Sequence, residues 1–263
     1  MALKVILVHL DPGPRWETRL ELAITLAQTH KAHLSGFYAS GSPGYGLVEP
    51  EAAEIRKIFE QKVSNAGISA DWIDGYSIDP PLVPLMDKFL LRICYADLVI
   101  VGQQSTRYGN RSLPPDFTER VIISAGRPVL VIPKHGNFAQ IGERVMVAWR
   151  GGRISSRALH DAIPLLAKAR QVALTMVNPG SFYQSEVETL TTYLAHNQIN
   201  ASCHRVLAKD PGTGDILLNQ VSELGADLLV VGLFYQFRRG KIDLGPVGRH
   251  ILNFMTIPTL FSG

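Results

Sequence analysis

The strongest constraint on this chain is that it repeats itself. "ADLVIVGQ", Ala96–Gln103, returns as "ADLLVVGL", Ala226–Leu233. At the same offset "GRPVLVIP", Gly126–Pro133, faces "TIPTLFSG", Thr256–Gly263, with Pro128 answering Pro258. At a slightly longer spacing "KVILVHLDPG" from Lys4 matches "RVMVAWRGG" from Arg144. One fold therefore occurs twice, and 263 residues are enough for two domains that each bury a core.

Within each copy short aliphatic runs alternate with helical patterns, which is the sign of parallel strands joined by right-handed crossovers. In the first copy the runs predict strands near Lys4–His9, His33–Ala39, Ala70–Tyr76, Leu98–Val101 and Val129–Ile132. Helices are expected at Trp16–His30, with Leu20, Ala23, Ile24 and Ala27 on one face, and at Glu49–Ala66, Leu82–Cys94 and Phe117–Ser124, the last capped by Asp116. In the second copy strands are expected near Arg144–Trp149, Val172–Val177, Ala201–Val206, Leu228–Val231 and Thr259–Phe261. Its helices fall at Ser155–Ala169, kinked by Pro164, and at Phe182–His196, Asp215–Leu224 and Pro246–Phe254. The fold class is α/β, two tandem domains that each have a five-stranded parallel sheet with helices on both faces. They occupy residues 1–136 and 143–263, with the proline- and glycine-bearing segment 133–142 as linker.

Composition narrows the function. Charged residues are 19% and apolar ones 46%, as in ordinary globular proteins, and a net charge of +3 is too small to argue for nucleic acid. Cys94 and Cys203 form neither a disulfide framework nor metal spacing, and both are expected to be core thiols in a reducing compartment. The N-terminus has no cleavage signal, and no apolar stretch approaches the roughly 18 residues that span a bilayer. A cytoplasmic location and no membrane partner are therefore expected. The eight histidines show no HExxH pair, no G-x-S-x-G elbow occurs, and no nucleophile–base pair is evident.

In open α/β sheets ligands settle beyond the carboxyl ends of the strands, where the winding reverses. That points to the loops after the first and fourth strands: in the second copy, "WRGG" at Trp149–Gly152 and the stretch after Val231. Gly232, Gly245 and Gly248 allow close backbone approach, and a helix beginning near Gly245 would aim free N–H groups at an anion. Arg238, Arg239, Lys241 and Arg249 add positive charge, although turn glycines and a solvated basic loop account for the same residues. "DPGTGD", Asp210–Asp215, lacks the Lys-Ser/Thr of a phosphate loop and reads as a helix start capped by Thr213.

The two-copy pattern, "ADLLVVG" leading to "LGPVGRHIL" and the closing "IPTLFSG", resembles the universal stress protein family in its tandem form, over nearly the whole chain. The resemblance implies flavodoxin-like, Rossmann-like domains. In the ATP-binding members it implies Gly, two residues, Gly, nine residues, then Gly followed by Ser or Thr. On this sequence Gly232 takes the first place, Tyr235 the second, Gly245 the third, and Pro246 replaces the hydroxyl residue. Arg150 stands where the family tends to have an aspartate after the first strand. A tyrosine where backbone should touch phosphate, a proline without an N–H, and a reversed charge all argue against ATP. An arginine can still meet another anion.

The candidate anion or nucleotide pocket of the second domain is thus Arg150, Gly151, Val177, Gly232, Gly245, Gly248 and Arg249. In the first copy Asp11 and Gly102 hold the equivalent places, but Ser105 and Pro115 replace the later glycines, so that pocket reads as vestigial or tuned to something else. Phe234, Tyr235 and Phe237 either stack on a ligand ring or fill the emptied space. The reading is a cytoplasmic stress-response protein that binds a ligand or protein through a degenerate ATP motif. No cofactor is certain, and ATP or another anionic small molecule in the second domain remains open. The alternatives are a nucleotide sensor and a weak nucleotide hydrolase, for which Asp243 is the acid in the loop. The short final strands of the two copies, "PVLVI" and "PTLFS", are expected to pair at sheet edges, and the resemblance implies the same self-association.

Overall fold

The computed structural model describes residues 2–13, 15–39, 50–76, 83–103, 114, 116–181, 183–209, 212–238 and 241–263, with the backbone alone for 50, 236–238, 241 and 242. Expectations placed on Glu49, Leu82, Ser105, Pro115, Phe182, Asp210 and Arg239 lie outside the described residues. The chain divides into two compact units, Ala2–Ala139 and Gln140–Gly263.

The first unit runs β1 (Val5–Leu10), α1 (Trp16–His30), β2 (His33–Tyr38), α2 (Pro50–Ala66), β3 (Ala70–Asp74), α3 (Leu85–Ile93), β4 (Leu98–Gly102), α4 (Phe117–Ser124) and β5 (Val129–Ile132). Its strands lie in the order β3-β2-β1-β4-β5, and the pairs β1–β2, β1–β4, β2–β3 and β4–β5 are all parallel. Parallel strands covered on both faces need continuous aliphatic runs. Ile6, Val8, Val99, Ile100 and Val101 of the central strands are accordingly fully buried, whereas edge strand β3 is mostly half-buried. The expected face of α1 is buried as read: Leu20, Ala23, Ile24 and Ala27 all lie in the core.

The second unit runs β6 (Arg144–Ala148), α5 (Gly152–Leu166), β7 (Gln171–Val177), α6 (Tyr183–His196), β8 (Ala201–Val206), α7 (Thr213–Glu223), β9 (Leu228–Gly232), β10 (Tyr235–Arg238), β11 (Lys241–Leu244), α8 (Pro246–Phe254) and β12 (Thr259–Ser262). Its parallel strands follow the same order, β8-β7-β6-β9-β12. In each unit the chain steps outward twice and then returns to the other side of the first strand. Right-handed crossovers put the first two helices on one face and the last two on the other. Packing agrees, with α1 on α2, α3 on α4 and α7 on α8.

The repeated dipeptide Ala-Asp has a physical role in both units. Asp97, just before β4, accepts the backbone N–H groups of Lys4 and Val5 on one carboxylate oxygen at 2.7 and 3.0 Å. Asp227, just before β9, accepts those of Gly142, Glu143 and Arg144 at 2.7, 3.0 and 3.2 Å. Each carboxylate fixes the entrance of the first strand against the fourth through charge-assisted bonds.

The structure corrects several expectations. The basic loop after Gly232 is a β-hairpin, with β10 and β11 antiparallel and Tyr235 opposite Leu244, Gln236 opposite Asp243, Phe237 opposite Ile242 and Arg238 opposite Lys241. Polarity alternates with period two through "YQFR" and "KIDL", and that strand signal was masked by the surrounding charges. Helix α5 starts at Gly152 rather than Ser155 and continues through Pro164 to Leu166. The N–H that proline lacks would have bonded one turn back, so only the last turn is affected.

Thr213 is the first residue of α7 and not its cap. Gly212 caps the helix with no side-chain bond, its carbonyl accepting from Asp215 N and Ile216 N. Asp116 does hold the cap position of α4, but its carboxylate pairs with Arg120 at 2.7 Å instead of bonding the backbone. Neither cysteine is a core thiol. Cys94 is exposed just past the end of α3, where its thiol donates to the Leu90 carbonyl at 3.5 Å, and Cys203 is half-buried on edge strand β8.

Candidate functional site

In the second unit Ala148 pairs with Val231, so the loop after β6 and the turn after β9 leave the sheet side by side. The β6 loop turns through Gly151 and Gly152, with φ of +81° and +75°, a conformation open to glycine and strained for other residues. Trp149 and Arg150 precede that turn. The Arg150 N–H donates to the hydroxyl of buried Ser155 at 3.1 Å, and its side chain is exposed. A side chain on Gly151 would meet Glu186 Oε1 at 2.7 Å. That same oxygen accepts from the Trp149 indole at 3.3 Å. A carboxylate thus stands beside the turn that an incoming phosphate would approach. Val177 ends β7 half-buried, two residues past the Thr175 that pairs with Ala148.

The glycines of the candidate cradle serve contacts within the chain. A Cβ on Gly232 would lie 2.8 Å from Ile154 Cγ2 and 3.1 Å from the Ile154 carbonyl, so its missing side chain admits the first turn of α5. Gly245 donates its N–H to the Phe234 carbonyl at 2.6 Å, closing the hairpin, and caps α8 with Pro246 at the first helical position. One donor of the expected anion site is therefore engaged, and the proline supplies none. Gly248 faces open space, and Arg249 is paired with Asp243 at 3.1 Å. Tyr235 is half-buried, which raises its phenol above the ordinary value, and Phe234 is exposed.

In the first unit the equivalent place is filled by the protein itself. Arg19 of α1 is buried, and its Nε donates to the His9 carbonyl at 2.6 Å while Nη2 lies 3.3 Å from Asp11 Oδ1. A Cβ on Gly102 would meet Arg19 Nη1 at 2.5 Å, so this glycine makes room for a guanidinium. Asp11 Oδ1 also accepts the Gly13 N–H at 2.9 Å. Burial alone would raise the Asp11 carboxyl, but Arg19 above all holds it below the usual range.

His9 is 2% exposed, with Nε2 3.1 Å from the Ala39 carbonyl, to which it must donate, and Nδ1 3.6 Å from Asp11 Oδ2. Its ring lies 4.8 Å from that of Phe117 and 5.6 Å from that of Phe89. Burial in this aromatic cage lowers it to about 4, so it is neutral near pH 7.

Sequence reasoning missed two groupings. Ser69 Oγ lies 2.7 Å from His33 Nδ1, and His33 Nε2 lies 2.9 Å from Asp71 Oδ1, a hydroxyl–imidazole–carboxylate chain where none was expected. It sits at the amino ends of β2 and β3 with His33 36% and Asp71 50% exposed, so the imidazole faces bulk water, and it serves as a polar ladder between strands. The second grouping is a groove of about 660 Å³ between α5 and α6, reached by Trp149 at the end of β6. Its signal was present in the sequence. Arg153, Arg157 and His160 recur at helical spacing on α5, as Glu186, Leu190 and Tyr193 do on α6. Among the described residues no group of three or more His, Cys, Asp or Glu side chains could hold a metal ion. Nor, among them, is any helix long and apolar enough to cross a membrane.

Comparison with solved structures places this geometry in a known fold. A universal stress protein from Archaeoglobus fulgidus is similar over 98% of this chain and 97% of its own, with a TM-score of 0.74 and 14% identity. A protein of unknown function from Pseudomonas aeruginosa is similar over 99% of this chain and 92% of its own, with a TM-score of 0.67 and 16% identity. The cytoplasmic domain of a prokaryotic cation chloride cotransporter is similar over 99% of this chain and 95% of its own, with a TM-score of 0.54 and 12% identity. No family model matches the chain, and no curated protein matches it. The chain has an α/β fold of the universal stress protein type, in its tandem arrangement.

Proposed function

We propose that this protein is a cytoplasmic stress-response protein that works by binding a ligand or a protein, and that it neither holds nor hydrolyses ATP. The observation that carries the reading is the hydrogen bond from the Gly245 N–H to the Phe234 carbonyl. It engages one of the N–H groups at the start of α8 that would otherwise face a phosphate. Three further features support it: Pro246 at the helix start, Glu186 beside the Gly151 turn, and Arg19 in the first pocket. Hydrolysis would need a carboxylate free to hold a metal near the phosphates, and Asp243 is engaged by Arg249. Equilibrium dialysis of the full chain against labelled ATP and magnesium tests the reading. No saturable binding is expected up to about 1 mM, and saturation at micromolar ligand would overturn it.

Self-association through β5 and β12 belongs to the same proposal. Each is the last strand at one end of its own unit's strand order, where alternate backbone groups point away from the neighbour. Amide exchange of the full chain reads this directly. All amides of Leu130–Ile132 and Leu260–Ser262 are expected to be slow, whereas fast exchange at alternate positions contradicts the proposal.

A further inference from the structure

We infer that the groove between α5 and α6 binds an aromatic zwitterion, a flat ring whose side arm carries an ammonium and a carboxylate on one carbon, as in an aromatic α-amino acid. This rests on the reading of the protein as a binding protein and names the site and ligand class. The cavity, about 660 Å³, falls within the range of roughly 300–1,000 Å³ typical of small-molecule sites. Leu159 and Leu190, 2% and 6% exposed, form an apolar floor.

The register of the two helices sets the polar groups at opposite ends of that floor. α5 and α6 each connect neighbouring parallel strands and run side by side in one direction. His160 Nδ1 of α5 lies 3.3 Å from the Tyr193 hydroxyl of α6, which fixes their relative position. Seven residues back on each helix stand Arg153 and Glu186, on opposite walls. Two helical turns, about 10 Å, separate them from the imidazole and the phenol. A guanidinium and a carboxylate thus flank one end, beside Trp149, and an aromatic pair flanks the other.

The two charges do not neutralise each other directly. Among the described residues neither Arg153 nor Glu186 has an ion-pair partner. The Trp149 indole donates to Glu186 Oε1 at 3.3 Å and holds the half-buried carboxylate against the Gly151 turn. Arg157, the other arginine of the lining, is taken by Asp161 at 2.8 Å. An anion is therefore drawn by Arg153 and repelled by Glu186, and a cation the reverse, so a ligand with one charge gains at one wall and loses at the other. A ligand with both charges gains at both. Its ammonium supplies the counter-charge that Glu186 lacks, its carboxylate meets the two-pronged donor of Arg153, and its ring lies on the leucine floor between Trp149 and Tyr193.

The probe is L-phenylalanine, added to the full chain while tryptophan fluorescence is followed. The controls are 3-phenylpropionate, which lacks the ammonium, and phenethylamine, which lacks the carboxylate. Trp149→Phe assigns the signal to this one of the three tryptophans. Wild-type protein is expected to bind phenylalanine saturably with Kd below about 1 mM, and each control about tenfold more weakly. Arg153→Gln is expected to weaken phenylalanine about tenfold without weakening phenethylamine. Glu186→Gln, which keeps an oxygen for the indole, is expected to weaken phenylalanine about tenfold without weakening 3-phenylpropionate. Circular dichroism confirms that the variants fold. Absence of phenylalanine binding to the wild type, a control that binds it as tightly, or unchanged phenylalanine affinity in either charge variant overturns the inference. Each of these results leaves the ATP reading standing, because that reading fails only if ATP itself saturates the protein.

Discussion

The Arg19 guanidinium lies 3.3 Å from the Asp11 carboxylate, in the space that Gly102 leaves by having no side chain. The acid at the end of the first strand is thus answered from inside the fold by α1. The cation is covalently part of the protein and is held in place by its bond to the His9 carbonyl.

Removing that cation leaves a poorly solvated carboxylate without a counter-charge. Arg19→Met is expected to destabilise the protein by about 3 kcal/mol, read from the urea midpoint near pH 7. A change within experimental error would mean that Asp11 is adequately solvated without its partner.

The same cluster predicts a pH dependence. Burial lowers His9 from its ordinary 6.5 to about 4, so the unfolded chain takes up a proton near pH 6.5 that the folded one refuses until about pH 4. Stability therefore falls as pH drops through that window, by about 3 kcal/mol. Asp11, lowered in the folded state, adds a further loss at more acidic pH, as the pH falls below its ordinary 3.8. His9→Gln is expected to flatten the slope between pH 6.5 and 4. An unchanged slope would place the titration elsewhere.

Two glycines of the candidate site separate packing from ligand roles. Gly232→Ala forces a Cβ to 2.8 Å from Ile154 Cγ2 and 3.1 Å from its carbonyl, and is expected to cost about 2 kcal/mol. Gly248 lies inside α8 with no atom within 4 Å of an added Cβ, so Gly248→Ala is expected to stabilise by about 0.5–1 kcal/mol. Thermal denaturation of the pair measures both signs, and loss of stability in Gly248→Ala would contradict the geometry.

The strand clamps predict a graded effect. Asp227 accepts three backbone N–H groups and Asp97 two. Asp227→Ala is expected to cost about 2 kcal/mol and Asp97→Ala less. Equal losses in denaturant unfolding would show that the bonds do not set the cost.

Much of the fold was legible because buried parallel strands are written as uninterrupted aliphatic runs. "VLVI" at β5 and the Ala-Asp repeat needed no tertiary information. The hairpin was not seen, because Arg238 and Lys241 made an alternating segment read as a solvated loop. Arg19 was missed for a different reason. On α1 it stands between Glu17 and Glu21 and so reads as part of a charged surface, and its role depends on the approach of Gly102 from β4, which local pattern does not encode. Cys94 closes the expected apolar helix Leu82–Cys94 and so reads as buried, but α3 ends at Ile93 and Cys94, its C-cap, is exposed.

Whether α8 can receive a phosphate depends on where the Gly245 N–H points. Hydrogen exchange at Gly245, resolved by NMR in the presence and absence of millimolar ATP, tests this most directly. Slow exchange that ATP leaves unchanged is predicted, since the Phe234 carbonyl already holds the proton. Fast exchange in the free protein that becomes slow when ATP is added would contradict it.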